Sequence, residues 1–364
     1  MDKHPPRRRA VVAGIRAWKR WQVDPFLRPR YEAVHYAGSP AQALRVQKQS
    51  GGDIVVWASR EPDGMAGAAS AQGARLLRME DGFLRSVGLG SQHVGGASLV
   101  LDEQGIYFDP RSPCALEALL QSADFDAALL ARAKALRERI VGAQLDKYNV
   151  GSRAVVALGG PGRRRVLVPG QVEDDASIRR GAPGVRGNLE LLRAVRESEP
   201  SAWIVYKPHP DTEAGARAGA MTDSRALRHA DQVVHGASAS ALLAQVDAVH
   251  TMTSLLGFEA LLRGVAVTAW GQPFYAGWGL TQDRAPLARR TRVRALDELV
   301  AAALIRYPAY VHPQTREACE PEAVVEWLAV QALERGGVAP NPARRALQLC
   351  QGLYRSWGLG SARA

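Results

Sequence analysis

Cysteine is scarce: the 364 residues contain three, Cys114, Cys319 and Cys350. Scattered and odd in number, they argue against a disulfide framework and against a Cys-ligated zinc site, and a reducing compartment is expected. Long apolar runs are missing as well. The apolar stretch that follows Arg7-Arg8-Arg9 is broken at Arg16, Lys19 and Arg20, which argues against a membrane span and a secretory signal, so a cytoplasmic protein is expected. His93, His235 and His250 have no metal-ligand spacing and read as structural. There is no tandem repeat or low-complexity tract.

What is present describes a folded protein that handles anions. Apolar residues make up 46% of the chain and charged residues 23%, close to the average for globular proteins. The length suits two domains with a short extension. A formal net charge of +11 fits nucleic acid, anionic lipid, or phosphorylated and carboxylated substrates as partners. The nucleic-acid reading lacks support beyond charge: no RRM, KH or zinc-finger signature is present, and aromatics are only 6%.

Short β-rich runs alternate with helical patterns: Asp53 to Trp57, Arg75 to Leu77, Arg165 to Val168, Trp203 to Tyr206, Gln232 to Val234, Asp247 to Val249 and Val265 to Val267. That alternation predicts parallel α/β sheets. Ala115 to Gln144 reads as helix, and the Gly/Pro/Arg-rich stretch from Gly159 to Arg164 precedes a fresh strand. The expected division is therefore residues 1–158, 159–310, and a helical C-terminal extension, 311–364, with one helix near 321–335 and a basic one near 343–357.

The polar motifs fall at the carboxyl ends of these strands, where open α/β sheets bind ligands. Glu80-Asp81-Gly82, Glu173-Asp174-Asp175, Lys207-Pro208-His209-Pro210 and Thr253-Ser254 each follow a predicted strand, and four in register indicate one cleft between two domains. Lys207 and His209, held by φ-locked prolines, can face a phosphate; the plain alternative is an exposed proline-rich turn. Thr251 to Glu259 reads as a capped helix whose N-terminus suits phosphate and whose Glu259 suits ribose hydroxyls, or else as an ordinary capped helix. The two acidic clusters supply what sugar transfer needs, a group to take the acceptor proton and a group to trap or stabilise the anomeric carbon; either alone is a common polar turn. A divalent metal on Glu173-Asp174-Asp175 ranks below a metal-free site, because Lys207 and His209 already offer positive charge. The loop Trp270 to Gly279, with Gln272 and Tyr275, suits stacking on a base or sugar, or covers the core. Arg163-Arg164-Arg165 and Arg289-Arg290 read as solvated faces.

Taken together these residues resemble the capsule polysaccharide β-Kdo transferase family of the KpsC/LipB type. Kdo is an eight-carbon acidic sugar. The resemblance runs from Trp18 to Ala329 through Trp18-Lys19-Arg20, Met79 to Gly90, Gly105 to Asp109, Lys147-Tyr148-Asn149, Gln171 to Ile178, Tyr206 to Asp211, Ser254 to Gly264 and Gly271 to Gly279. The acidic-Asp-Gly and His-Pro motifs are shared with bacterial sialyltransferases. The resemblance implies a GT-B-like fold of two Rossmann-like domains facing a central cleft, the first on the acceptor side and the second binding nucleotide-sugar. It also implies CMP-β-Kdo as donor and retention of the β configuration.

In the pattern Gln-x-x-x-Asp-x-Ser, Asp175 matches the family's nucleophile, with Asp174 as the neighbouring alternative. Glu80 or Asp81 is then the acid/base, Lys207 and His209 hold the phosphate, and Ser254, Glu259, Gln272 and Tyr275 bind the rest of the donor. No cofactor or metal is expected. Typical capsule members carry two such modules and this chain has the length of one. The partners implied are the donor, a lipid-linked or oligosaccharide acceptor and other polysaccharide-assembly transferases. Weak contact with an anionic membrane surface is expected through Arg7-Arg8-Arg9 and Trp18 to Trp21 at one end and Arg344, Arg345, Tyr354, Arg355 and Trp357 at the other; the alternative, favoured for Trp18, is that Trp18 and Trp21 pack into the N-terminal core and the arginines are solvated. The competing enzymatic reading is a transferase of the same architecture with another donor, such as CMP-sialic acid or a UDP-sugar.

Overall fold

The computed structural model describes residues 8–86, 96–147, 149, 151–213 and 217–334. Arg7, residues 87–90 of the long motif, His93, Tyr148, Cys350 and the expected basic helix near 343–357, with its arginines and aromatics, lie outside the described residues.

The strands are β1 (Arg8–Ala13), β2 (Tyr31–Tyr36), β3 (Asp53–Trp57), β4 (Leu76–Asp81), β5 (Ser98–Asp102), β6 (Arg165–Pro169), β7 (Trp203–Lys207), β8 (Gln232–Val233), β9 (Ala248–Thr251), β10 (Ala266–Ala269), β11 (Gln282–Asp283), β12 (Ala309–Val311) and β13 (Ala318–Cys319). Among the described residues they form a seven-stranded sheet in the order β13-β12-β5-β4-β3-β1-β2 and a six-stranded sheet in the order β11-β10-β9-β6-β7-β8. The second sheet is parallel throughout; in the first, β1 to β4 are parallel and β5, β12 and β13 pair antiparallel. The chain is thus an α/β protein of two largely parallel-sheet domains. Central strands such as β3, Asp53-Ile54-Val55-Val56-Trp57, are buried along their whole length, as strands covered on both faces must be.

The order of each sheet reverses once. In the first sheet β1 has β2 on one side and β3 on the other, and in the second β6 lies between β7 and β9. A crevice opens at the carboxyl edge at each such reversal, because the connections on either side of it leave toward opposite faces.

Helices α1 (Ala17–Leu27), α2 (Pro40–Ser50) and α3 (Met65–Ala71) belong to the first sheet's crossovers, followed by α4 (Ala115–Ser122) and α5 (Ala127–Gly142). The single helix expected over 115–144 is two, because Asp126 caps a fresh start by accepting from Leu129 N at 2.7 Å. Within the second domain lie α6 (Ala176–Gly181), α7 (Asn188–Ser198), α8 (Pro210–Glu213), α9 (Asp223–Ala226), α10 (Ala239–Leu243) and α11 (Leu255–Leu262). Then come α12 (Leu296–Val300), continued by a π-helical stretch (Ala301–Arg306), and α13 (Pro321–Glu334). The segment expected as a separate extension from residue 311 does not stand apart as far as residue 334. β12 pairs with β5, so the chain crosses back to complete the first sheet.

The two halves meet in a common apolar cluster. Val100, Ile106, Leu116 and Leu136 from the first segment lie in the same buried cluster as Leu167, Val249 and Phe258 from the second, joined by Leu299 and Val324. At its upper edge Phe83 stacks on Phe274, with ring centroids 4.4 Å apart, and meets Tyr107 edge-on at 4.8 Å. Ion pairs reinforce the joint: Asp109 with Arg180 at 3.2 Å, Arg137 with Asp297 at 2.9 Å, and Arg132 with Glu322 at 2.7 Å.

Arg289 and Arg290, expected on a solvated face, are part of this joint. Glu117 of α4 is buried and accepts from Arg289 and, at 3.0 Å, from Arg290 Nε, while Arg290 Nη1 donates to the carbonyls of Pro273 at 2.6 Å and Ala276 at 2.8 Å. A buried carboxylate needs such partners, and a sequence run of two arginines does not reveal that one exists. Removing it alone strands a buried guanidinium, so Glu117→Ala should cost about 3–5 kcal/mol in denaturant unfolding, with Glu117→Gln milder. A loss under about 1 kcal/mol, the scale of a surface pair, would mean the cluster does not hold the halves together.

Candidate active site

The crevices of the two sheets open into one cleft of about 730 Å³. Its walls include Gly14, Arg16, Trp57 and Arg60 beside β1 and β3, Glu80 and Asp81 at the end of β4, Gln171 and Asp175 after β6, Lys207 and His209 after β7, and Ser254 and Glu259 at the start of and within α11.

Gln171 fastens the second crevice. Its Oε1 accepts from Thr251 Oγ1 at 3.0 Å, Met252 N at 3.2 Å and Thr253 N at 3.1 Å, and its Nε2 donates to Thr253 Oγ1 at 3.0 Å. One side chain thereby ties the end of β6 to the end of β9 across the reversal. Gly170 lies so close to the β7 loop that a Cβ there would meet Tyr206 Oη at 2.7 Å and His209 N at 3.0 Å, which no larger residue allows.

The three acidic residues after β6 point to different partners. Glu173 accepts from Asn188 N at 2.7 Å and so caps α7, Asp174 is exposed and pairs with Arg217 at 3.0 Å, and Asp175 caps α6. Asp175 Oδ1 accepts from Ser177 N at 2.9 Å and Ser177 Oγ at 2.8 Å, while Oδ2 has no hydrogen-bond partner among the described residues. Asp175 lines the cleft and Asp174 does not. Divergent partners separate the carboxylates that a shared cation would need to draw together.

Glu80 and Asp81 are neighbours with opposite electrostatics. Burial, and then the Asp81 charge, push Glu80 up to about 7 against the pull of Lys19 and a 3.1 Å bond from Ser59 N. Burial pushes Asp81 up too, but Arg85, Lys19 and Lys147 outweigh it and hold its carboxyl below the ordinary value. Arg85 Nη2 is 3.1 Å and Lys19 Nζ 3.4 Å from its two oxygens. Lys19 itself lies over the Trp57 ring, 3.3 Å from the centroid. Tyr107 donates to the Asp81 carbonyl at 3.0 Å. Burial first, and then Glu80, Asp81 and Asp175 together, raise its phenol pKa, so carboxylates from both halves converge on one hydroxyl.

Lys207 is buried, which pulls its pKa below the ordinary lysine value, and its ammonium has no hydrogen bond or ion pair among the described residues. His209 Nδ1 accepts from Asp211 N at 3.1 Å, which leaves the proton of the neutral ring on Nε2. Burial, and to a lesser extent Lys147 and Lys207, bring its pKa down to about 4 against Asp211 and Asp175. Ser254 Oγ accepts from Leu256 N at 3.2 Å as the cap of α11. Glu259 Oε1 accepts from Lys147 N at 2.6 Å, and burial and Asp146 push its carboxyl up to about 7 against Arg263.

Two residues expected on the donor side fall outside the cleft. Tyr275 is fully buried and donates to the Ser254 carbonyl at 2.6 Å, its ring lying where a Cβ on Gly257 would go. Gln272 Nε2 points to the Pro286 carbonyl at 3.4 Å. Apart from Pro273 and Phe274, which line the cleft, the loop covers the core and props up the start of α11. Lys19, expected to face a membrane, and Trp18, expected there or in the N-terminal core, line the cleft. No helix among the described residues is long and apolar enough to cross a membrane. Lys19, Arg85, Tyr107 and Gln171 were not singled out as site residues from the sequence; all lie within the long family-like motifs, the one signal that could have found them.

Comparison with known proteins fits this geometry. A family model described as "Capsule polysaccharide biosynthesis protein" matches residues 52–157 and 156–312. The solved Thermosulfurimonas dismutans KpsC β-Kdo 2,4 transferase is 31% identical with a TM-score of 0.78, the alignment covering 90% of this chain and 99% of that one. The β-Kdo 2,7 transferase of the same KpsC is 32% identical with a TM-score of 0.72, covering 89% and 99%. The chain belongs to the capsule polysaccharide β-Kdo transferase family. Among curated members, the capsule polysaccharide modification protein LipA of Neisseria meningitidis serogroup B is 44% identical over 94% of this chain and 49% of its own length. The lipopolysaccharide-processing protein LpsZ of Rhizobium meliloti is 44% identical over 78% of this chain and 65% of its own. The chain therefore spans about half the length of the LipA relatives it matches.

His209 offers a direct check on the electrostatics of this family site. With its folded pKa down to about 4, the protein binds fewer protons there than the unfolded chain does. Its contribution to stability is present above the ordinary histidine range and is lost as pH falls toward 4. The His209 imidazole resonances of the ligand-free protein should titrate near pH 4, and a midpoint near 6.5 would show that His209 is solvated.

Proposed function

We propose that this chain transfers β-Kdo from CMP-β-Kdo to a growing capsule or surface glycan, with retention of configuration, in a GT-B-like cleft. The observation that carries the reading is the facing of Asp175 on one sheet edge and the Glu80–Asp81 pair on the other across a single cleft that also holds Lys207 and His209.

The chemistry follows from the positions. Lys207 and the Nε2 proton of His209 meet the CMP phosphate, and both contacts strengthen as negative charge develops on the leaving oxygen. The unpartnered Oδ2 of Asp175 attacks the anomeric carbon, and the bond to the phosphate oxygen breaks with its electron pair leaving on CMP. The acceptor hydroxyl then displaces Asp175 from that carbon, its proton passing to the Glu80–Asp81 pair. Two inversions give net retention. Ser177 fixes the rotamer of Asp175, Glu259 faces the ribose, and neither step needs a metal. A lipid-linked acceptor, as the family resemblance implies, and the arginines of the N-terminal flank support work at the cytoplasmic face of the inner membrane.

Asp175→Asn should abolish transfer and any covalent glycosyl adduct seen by mass spectrometry after incubation with CMP-Kdo, while Asp174→Asn should retain most activity. The reverse pattern would move the nucleophile by one residue, and full activity in both would end the double-displacement proposal. CMP release should survive EDTA and should exceed that from CMP-sialic acid or UDP-sugars; a preference for either alternative would reassign the donor.

The pH profile tests the acid/base pair. With Glu80 raised to about 7 and the doubly ionised pair acting as base, kcat/KM should rise with pH through about 7. Asp81→Lys is too disruptive a probe, but Asp81→Asn removes the neighbouring charge and should shift any remaining limb to lower pH. A limb that stays in place would place the titration on another group.

A further inference from the structure

The second sheet's crevice, between β6 and β9, is accounted for by the donor. The matching crevice of the first sheet, between β1 and β3, faces the same cleft and has no assigned ligand. The chain leaves β1 through Gly14, whose φ of +77° turns it sharply toward Arg16, and leaves β3 through Trp57 into Ser59 and Arg60. A Cβ on Gly14 would lie 3.7 Å from the Trp57 Cβ and 3.8 Å from the Arg60 Cβ, so the two exits run side by side.

The charges on this wall are unevenly matched. Lys19 and Arg85 are spent on Asp81, and Glu61, next to Arg60 in the chain, is committed to Arg78 at 2.6 Å. Arg16 and Arg60 line the cleft and are exposed, and their guanidinium groups have no hydrogen bond or ion pair among the described residues. Two uncommitted guanidiniums therefore line the first-sheet side of the cleft, to which the carboxylates Glu80 and Asp81 also belong.

We propose that Arg16 and Arg60, in the β1/β3 crevice, bind an anionic group on the acceptor and are specificity-determining residues for an acidic acceptor. This rests on the transferase reading above. A carboxylate or phosphate entering the cleft is repelled by Glu80, Asp81 and Asp175, and two guanidiniums lining the same cleft offset that repulsion. They hold the anion away from the reacting centre and leave its neighbouring hydroxyl toward the acid/base pair. Planar guanidinium suits carboxylate and phosphate oxygens in paired hydrogen bonds, which lysine would not reproduce. The anion has two possible sources: the carboxylate of an acidic sugar at the end of the glycan, or a phosphodiester nearer its lipid.

The test compares three synthetic acceptors in CMP-Kdo transfer: a methyl glycoside of Kdo, the methyl ester of that glycoside, and a neutral sugar on an alkyl phosphodiester. Arg16→Gln and Arg60→Gln should each raise the KM for an anionic acceptor about tenfold, with kcat changed much less and with CMP affinity and Tm unchanged. The ester should bind wild type and variants alike. A rise confined to the Kdo glycoside assigns the sugar carboxylate, and one confined to the phosphodiester assigns the lipid linkage. Equal effects on all three acceptors, or none, overturn the proposal, as does a change in CMP affinity without a change in acceptor KM. Should wild type transfer nothing, the transferase reading fails by itself, and titration of the same three compounds into the full chain by NMR still decides the crevice. Binding of the anionic compounds that both variants weaken keeps the assignment, and charge-blind binding or none removes it.

Discussion

The stacking of Phe83 on Phe274 is the contact on which the site depends. Phe83 follows Glu80-Asp81-Gly82 at the edge of the first sheet, and Phe274 belongs to the loop that supports α11 at the edge of the second. Their rings, with Tyr107 and Phe258 packed around them, set the separation between two groups of carboxylates that would otherwise repel each other. Aromatic rings carry no net charge, so their packing holds the edges together without neutralising the groups it brings near. Behind it the Glu117 cluster and the shared core remove the freedom of the halves to slide.

Given that fixed separation, the sorting of protons is a local matter. Glu80 and Asp81 are adjacent in the chain, yet two cations contact Asp81 directly and Glu80 receives a backbone amide instead. One carboxyl is held ionised while its neighbour sits near neutrality, an arrangement suited to passing a proton. On the facing edge Lys207 is buried with its ammonium unpaired among the described residues, so an incoming anion meets a donor already withdrawn from solvent.

Much of this was legible in the sequence because it follows from pattern. The strands β3, β4, β6, β7, β8, β9 and β10 announced themselves as short apolar runs, and the motifs behind them had to fall on one edge once the sheets were parallel. β1, β2 and β5 were not picked out although each is a run of five or six residues, β1 because its apolar stretch follows directly on an arginine run. Much else that escaped depends on contacts distant in sequence. Edge strands β12 and β13 are too short to show a period and exist because β5 offers them an open edge. Arg290 looks like any surface arginine until Glu117, far away in sequence, is found beneath it. Tyr275 sits in a loop rich in glycine and aromatics that suits a ligand, and only the close approach of Gly257 reveals that its ring is core. Arg16 and Lys19 differ by three positions in one helix start; the partner that separates their roles, Asp81, comes from another strand.

The return of β12 to the first sheet makes the second domain a loop of chain inserted into the first rather than a bead following it. The inserted domain is anchored where α5 leads into it and again where α12 leads out. Two chain crossings, together with the buried cluster and the ion pairs that run between the halves, hold the inserted domain against its neighbour. The register of the two edges is thereby set by connectivity as well as by side-chain packing.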